Sequence, residues 1–173
     1  MLTNFQPVVS PSNLKMAIAA LFCCLPLANS ANAATATSTF TVQMTVTSSC
    51  VINSTATLNF GNQGVLIANV DNTTTVQVQC TNTTPYNIGL DAGTGSGATV
   101  TTRKMTNGSN TINYSLYSDS GRATVWGNTV GTNTVSGTGS GASQSYTIYG
   151  RVPPQTTPAA ATYTDTITVT VTY

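Results

Sequence analysis

Few side chains in this sequence are of the types that catalyse reactions, and the types that are present exclude most classes of enzyme. The 173 residues contain no histidine and four acidic residues, all aspartates: Asp71, Asp91, Asp119 and Asp165. Without histidine the usual base of a serine hydrolase is absent, so a Ser–His–Asp triad is excluded. A glycosidase needs two carboxylates about 5–9 Å apart, whereas these aspartates are more typical of turns and surfaces. We therefore expect no enzyme activity.

Two of the four cysteines fall in an N-terminal segment that is typical of a secretory signal peptide. Lys15 precedes a mostly apolar run, residues 16–28, and about 13 such residues are too few to cross a bilayer. Ala31-Asn32-Ala33 fits a signal-peptidase site. The sequence predicts a signal peptide over residues 1–33 and neither a lipid anchor nor a membrane anchor.

Cleavage after Ala33 leaves two cysteines, Cys50 and Cys80, in an exported chain. An even count in that compartment favours a disulfide bond. Closing a loop of about 30 residues is worth roughly 3.5–4 kcal/mol in the chain-entropy estimate. A metal site lacks support, because the chain has no histidine and no Cys-x-x-Cys in the mature region. We predict a structural bridge, no metal and no cofactor.

The net charge of the mature region is zero, which argues against partners that are bound mainly through charge. Four basic residues balance the four aspartates: Arg103, Lys104, Arg122 and Arg151. No basic patch exists that could release counterions from a nucleic acid or hold an anionic membrane. We expect neither partner.

Strands must position these residues, and the most regular one is predicted at the C-terminus, over residues 163–173. One face of it carries Tyr163, Asp165, Ile167, Val169, Val171 and Tyr173, and threonine occupies every position of the other face. The strand would run about 36 Å. A long alternating edge without protective charges is an aggregation hazard, so we interpret it as an acceptor for a strand from another chain. Core packing within one chain fits the pattern equally well.

The rest of the mature chain alternates short strands with turn residues. Strands are predicted over residues 39–52, 55–60, 73–80, 86–90, 100–105, 111–117, 122–126 and 145–152, and Asn107-Gly108 is a strong hairpin signal. No segment has a helical period. This spacing predicts an antiparallel β-sandwich. Trp126 lies outside the interval between the cysteines, which argues against an antibody-type domain.

Several motifs resemble the spore coat protein U domain family, which includes the subunits of archaic chaperone–usher pili. They are Thr-Phe-Thr-Val-Gln-Met-Thr-Val at 39–46 before Cys50, Leu-Asn-Phe-Gly at 58–61, Val-Gln-Cys at 78–80, Asn-Tyr-Ser-Leu-Tyr at 113–117 followed by Asp119, Tyr-Thr-Ile-Tyr-Gly-Arg-Val at 146–152, and the closing strand at 163–173. The resemblance covers essentially the whole mature region.

The resemblance implies an all-β fold, an incomplete immunoglobulin-like sandwich that a donor strand from another chain completes. A periplasmic chaperone would fill the gap first, and the N-terminal strand of the next subunit would replace it at an outer-membrane usher. The donor strand would span residues 34–46 and the sandwich residues 47–173. The donor would insert Phe40, Val42, Met44 and Val46 beside an acceptor edge formed by Ile167, Val169, Val171 and Tyr173.

The expected function is that of a structural subunit of a surface pilus that serves adhesion and biofilm formation. Neighbouring pilin subunits would be its partners in a head-to-tail polymer. One alternative is a secreted monomeric spore-coat or matrix protein that closes its own sheet. A second is a carbohydrate-binding module, in which Trp126 and tyrosines would stack on sugar rings.

Overall fold

The computed structural model describes residues 32–173, and all the regular structure in that range is β-strand. No helix of these residues could cross a membrane. The chain divides into two units, Met1–Gln43 and Met44–Tyr173. Residues 32–43 of the first unit have no regular secondary structure, and every strand belongs to the second. The predicted signal peptide, residues 1–33, lies almost entirely outside the described residues.

Eight strands form two antiparallel sheets in the second unit. They are β1 (Cys50–Thr55), β2 (Val70–Cys80), β3 (Pro85–Leu90), β4 (Arg103–Asn107), β5 (Asn110–Tyr117), β6 (Val135–Thr138), β7 (Ser143–Val152) and β8 (Val169–Thr172). The larger sheet has the order β1-β2-β7-β5-β4 and the smaller one the order β6-β3-β8. The last strand is therefore an edge strand, as the sequence predicted.

Alternation along the strands builds one core between the two sheets. In β2, Val76, Val78 and Cys80 point inward and are fully buried. They meet Ile148 of β7 and Leu116 of β5 from their own sheet. The smaller sheet contributes Tyr86, Ile88 and Leu90 to the same cluster. A period of two thus places one apolar face of each sheet in contact with the other.

The predicted hairpin is present. Asn107 pairs with Asn110 across a two-residue loop that begins with Gly108. The φ angle of Gly108 is +57°, a conformation that glycine adopts without steric cost.

Three of the other strand predictions were wrong. The strand predicted over 39–52 begins only at Cys50, and residues 56–60 pair in no ladder. Residues 122–126 contribute a single bridge, between Val125 and Tyr117. There the Asp119 carboxylate accepts hydrogen bonds from the main-chain N–H groups of Ala123 and Thr124, which makes a turn instead of a ladder. Strand β6, which is short and contains Gly137, was not predicted.

The long C-terminal strand is also corrected. Of the predicted strand 163–173, only the part that forms β8 pairs with β3, and Thr164 pairs instead with Thr106 of β4 in the other sheet. The last segment therefore crosses from one sheet to the other between Thr164 and Val169. At the crossing, the Asp91 side chain accepts the Thr168 N–H at 3.0 Å. The side-chain alternation nevertheless continues throughout, with exposed threonines at 164, 166, 168, 170 and 172.

The disulfide that the cysteine count predicted is present. Cys50 and Cys80 are bonded and lie directly opposite each other at one end of the β1–β2 ladder. Cys80 is buried, so the bond ties the start of β1 to the core.

Loss of this bond should destabilise the domain. We expect Cys50→Ser to lower the free energy of unfolding by about 2–5 kcal/mol, because the unfolded chain is no longer constrained by the loop. Urea denaturation of the exported protein measures the effect, and Cys50→Ser with Cys80→Ser serves as the control without a free thiol. The unreduced, denatured wild-type protein should not react with a thiol reagent. Labelling at either cysteine would contradict the prediction.

Candidate functional site

A groove of about 1000 Å³ opens into the core of the unit Met44–Tyr173. Its floor consists of side chains that belong to the core of the sandwich, including Leu66, Leu90, Tyr114, Leu116, Ile148 and Val152. Protein interiors are normally packed to crystal-like density, with few voids larger than a water molecule. An open groove over core residues therefore leaves room for a further element that would cover them.

One wall of the groove is the extended segment 56–60, which continues from β1. The β1–β2 ladder ends at Thr55. Beyond it, β2 holds the segment mainly through side chains: the Thr74 hydroxyl donates to the Ala56 carbonyl at 2.7 Å, and the Asn72 amide donates to the Asn59 carbonyl. Within the described residues, the main chain of 57–60 pairs with no other strand.

This wall is held against the sheet by two apolar side chains. Leu58 and Phe60 are half-buried and pack over Gly150 of β7, where a β-carbon would lie only 2.5 Å from Leu58 Cδ2. Phe60 also meets the ring of Tyr114 edge to face. Glycine at position 150 is thus what lets the wall approach the sheet so closely.

The opposite wall is the C-terminal segment. Ile167 and Val169 line the groove, and Val171 is half-buried against the same core. Tyr173 is 60% exposed at the end of the segment. The structure therefore brings two of the four predicted acceptor residues to the groove itself, with Val171 next to them.

Two aspartates fix the place where this wall changes sheet. Asp165 accepts hydrogen bonds from the Thr94 N–H at 2.8 Å and from the Tyr114 hydroxyl at 2.7 Å. Burial and the neighbouring Asp165 carboxylate raise the pKa of Tyr114. Although burial works in the opposite direction, hydrogen bonds from Thr168 and Gly93 leave the pKa of Asp91 below its usual value. Asp165 was placed on the apolar face from the sequence, and Tyr114 explains how a carboxylate is accommodated there.

A buried arginine, which was not predicted from the sequence, braces the same region. Arg103 has no exposed surface, and burial lowers its pKa. Its guanidinium donates to four main-chain carbonyls, those of Leu90, Asp91, Val100 and Trp126, at 2.7–3.1 Å. One feature could have indicated this burial: Arg103 lies opposite Tyr114 in the hairpin of β4 and β5, on the side that faces the core.

The predicted donor side chains are exposed. Phe40, Val42, Met44 and Val46 are 75–87% accessible, and residues 32–49 form no strand. Four regularly spaced apolar side chains in water are an unfavourable arrangement that burial would relieve.

Most of the aromatic residues considered for sugar stacking are buried or make contacts within the fold. Trp126 is buried, and its indole N–H donates to the Ile88 carbonyl at 2.8 Å. Tyr86 and Tyr146 join the two sheets through their hydroxyls, 2.6 Å apart. Trp126 therefore offers no ring face to a sugar.

Comparisons with known proteins agree with this geometry. The Spore Coat Protein U domain matches residues 36–170. Protein U of Myxococcus xanthus is 36% identical over an aligned length of 177, and the match covers 92% of this chain and 98% of that protein.

A solved structure is also similar, the crystal structure of the CsuC–CsuE chaperone–tip adhesion subunit pre-assembly complex from archaic chaperone–usher Csu pili of Acinetobacter baumannii. The TM-score is 0.54 at 25% sequence identity, and the match covers 75% of this chain and 40% of that chain. This chain thus spans less than half of the similar one. The predicted fold class, an all-β incomplete immunoglobulin-like sandwich, is confirmed.

Replacing the buried arginine should weaken the groove's frame. We expect Arg103→Leu to lower the free energy of unfolding by about 3–5 kcal/mol, because buried carbonyl oxygens lose their donors. The matched control is Lys104→Leu. The ammonium of Lys104 donates to a single carbonyl at the surface, that of Ser96. That change should stay within about 0.5 kcal/mol. Urea denaturation of both variants makes the comparison, and similar losses would contradict a special role for Arg103.

Proposed function

Because the chain belongs to the Spore Coat Protein U domain family, we propose that it is a structural subunit of a chaperone–usher pilus that assembles by donor-strand complementation. The similarity to a chain from the Csu pilus complex supports the assignment to this class of subunit. Family and fold are those of structural subunits rather than enzymes.

The proposal rests on the groove, because no strand of the described residues lies between its two walls. Its floor is apolar core, and both walls are extended segments at the edges of sheets. A strand inserted there would cover the floor with every second side chain and bond its main chain to the walls. This is β-augmentation between chains.

The donor we propose is the exposed N-terminal segment of another copy or of a related subunit. Phe40, Val42, Met44 and Val46 recur at every second position, so in an extended strand all four face the same side. Their seven-residue span would be about 20 Å long. Burying four such side chains gives roughly 6–12 kcal/mol of gross stabilisation before the cost of ordering the strand.

Donor and acceptor lie on one chain, so each subunit can fill one neighbour and be filled by another. Such a head-to-tail contact does not close on itself and therefore propagates as a fibre. In this proposal a periplasmic chaperone occupies the groove until an outer-membrane usher exchanges it for the next donor. The chain is thus exported through the periplasm to the cell surface, where the fibre serves adhesion and biofilm formation.

A second candidate is a secreted coat or matrix protein that remains a monomer. The family's description as a spore coat domain and the 36% identity to Protein U favour it. In that case the chain would have to close its groove without a partner. The two candidates differ in whether the N-terminal segment joins subunits.

The groove wall should tolerate a charge on one face only. Val169 lines the groove, whereas Thr170, the next residue of β8, is exposed on the other face. We expect Val169→Asp to block chaperone capture and fibre assembly, because an unpaired buried carboxylate costs several kcal/mol. Thr170→Asp carries the same charge and should assemble nearly normally. Co-purification with the chaperone and fibre length by electron microscopy are the measurements.

Equal tolerance of the two substitutions would mean that this face binds no strand. If Thr170→Asp were the more damaging change, the inward and outward faces would be assigned the wrong way round.

Removing residues 34–46 should produce a subunit that can accept a strand but cannot donate one. Mixed with intact subunits, it should shorten fibres in proportion to its share, as measured by electron microscopy. The control is full-length protein with Thr45→Ala, which keeps the apolar face of the donor. If the truncated and intact proteins were both stable monomers by sedimentation, the coat or matrix protein would be the better assignment.

A further inference from the structure

Two apolar side chains beside the groove are exposed without serving the core. Val65 is 74% and Ile67 is 81% exposed. Leu66 between them is buried, and it is held from both sides: its N–H donates to the Thr157 hydroxyl at 2.8 Å, and its carbonyl accepts from the Gln155 N–H at 3.0 Å. Anchoring of Leu66 therefore presents Val65 and Ile67 outward in a fixed way.

The loop that contains Val65, Leu66 and Ile67 lies at one end of the groove. Residues 61–64 and Leu66 line it together with residues 157–163, where the C-terminal wall begins. The wall runs from there toward Thr172, which pairs with Asn87 near the start of β3. We call the end formed by residues 61–67 and 157–163 the loop end.

The direction of the inserted strand follows from the sheets. Of the two walls, only the C-terminal one belongs to a ladder, through β8, and every strand pair in the described residues is antiparallel. We therefore take the donor to run antiparallel to β8. It then runs parallel to the wall 56–60, which leads into the loop end. A donor antiparallel to β8 with Val46 at the loop end has Phe40 near Val169, because six residues of strand span about 20 Å. The rest of the donor subunit then emerges from the groove at the loop end.

The donor subunit cannot be far away at that point. Its Ser49 is fastened to its own sandwich, since Ser49 and Thr81 exchange two hydrogen bonds of 3.1 and 2.9 Å. Val46 and Ser49 are three residues apart, so at most about 11 Å of chain separates the last donor side chain from that body. Val46 even lines a hollow with residues 81–85 of its own unit.

We propose that Val65 and Ile67 pack against the body of the neighbouring subunit whose strand fills the groove. The partner is a second copy of this chain, and the surface it offers includes the exposed side chains of Val51 and Ile52, which follow Cys50 in β1. It also includes the exposed Tyr173, which follows β8, a strand in contact with β1. This inference rests on the proposed function. Two apolar side chains bury too little area to hold subunits together alone. The contact instead fixes the angle between subunits that the donor strand already joins.

The first test is a photo-cross-linking amino acid at Ala68, an exposed position next to Ile67. In assembled fibres it should attach to residues 47–52, 81–85 or Tyr173 of the adjacent subunit, as mapped by mass spectrometry. The matched control is the same probe at Ser120, which is exposed in the loop after β5 and outside the groove lining. Cross-links from Ala68 to other regions, or no more than from Ser120, would overturn the contact.

The second test is the pair Val65→Ser and Ile67→Ser in one chain. Fibres should still form, because the donor and the groove are unchanged, but the Ala68 cross-link should be lost and the persistence length should fall. Unchanged stiffness and cross-linking would refute the inference, and so would complete failure to assemble, which would assign the loop to the groove itself. If the wild-type chain formed no fibres, the proposed function would fail instead.

Discussion

An apolar core that one chain leaves open to water is the constraint on which the rest of this structure depends. Leu90, Leu116 and Ile148 pack as core residues, yet they also form the floor of a groove. Hydration of such a surface is unfavourable in proportion to its area. In the proposed assembly, a binding partner would supply part of the stability that other sandwiches obtain within themselves, and folding and assembly would become parts of one equilibrium.

Contacts within the chain hold both walls of the groove in place. Leu58 and Phe60 pack over Gly150 on one side. On the other side, Asp165 ties the crossing segment to the Thr94 N–H and to Tyr114. Arg103 holds the carbonyls of Leu90 and Asp91, and the Asp91 side chain in turn accepts the Thr168 N–H. Prior placement of both walls reduces the ordering cost of accepting a strand. The polar contacts thus serve the apolar site by keeping its edges in position.

Side-chain alternation made most of the fold predictable, and its failures have a common cause. Strands β2, β3, β5 and β7, the Asn107-Gly108 hairpin and the Cys50–Cys80 bond all followed from local pattern. The break in the last strand did not, because a distant carboxylate, that of Asp91, takes the N–H of Thr168 while the alternation continues unaltered. Alternation reports which face a residue occupies and not whether a neighbouring strand is present. The burial of Arg103 likewise depends on carbonyls far away in sequence.

In the proposed fibre, the disulfide would have a mechanical consequence under tension. Force applied through a seated N-terminal strand would reach the sandwich at Ser49 and then at Cys50. There a covalent bond passes the load directly to Cys80 and so to β2, which pairs with β7 along ten residue positions. The disulfide would thereby protect the shorter ladder between β1 and β2 from being pulled apart from its end. Traction is distributed over the broadest part of the larger sheet.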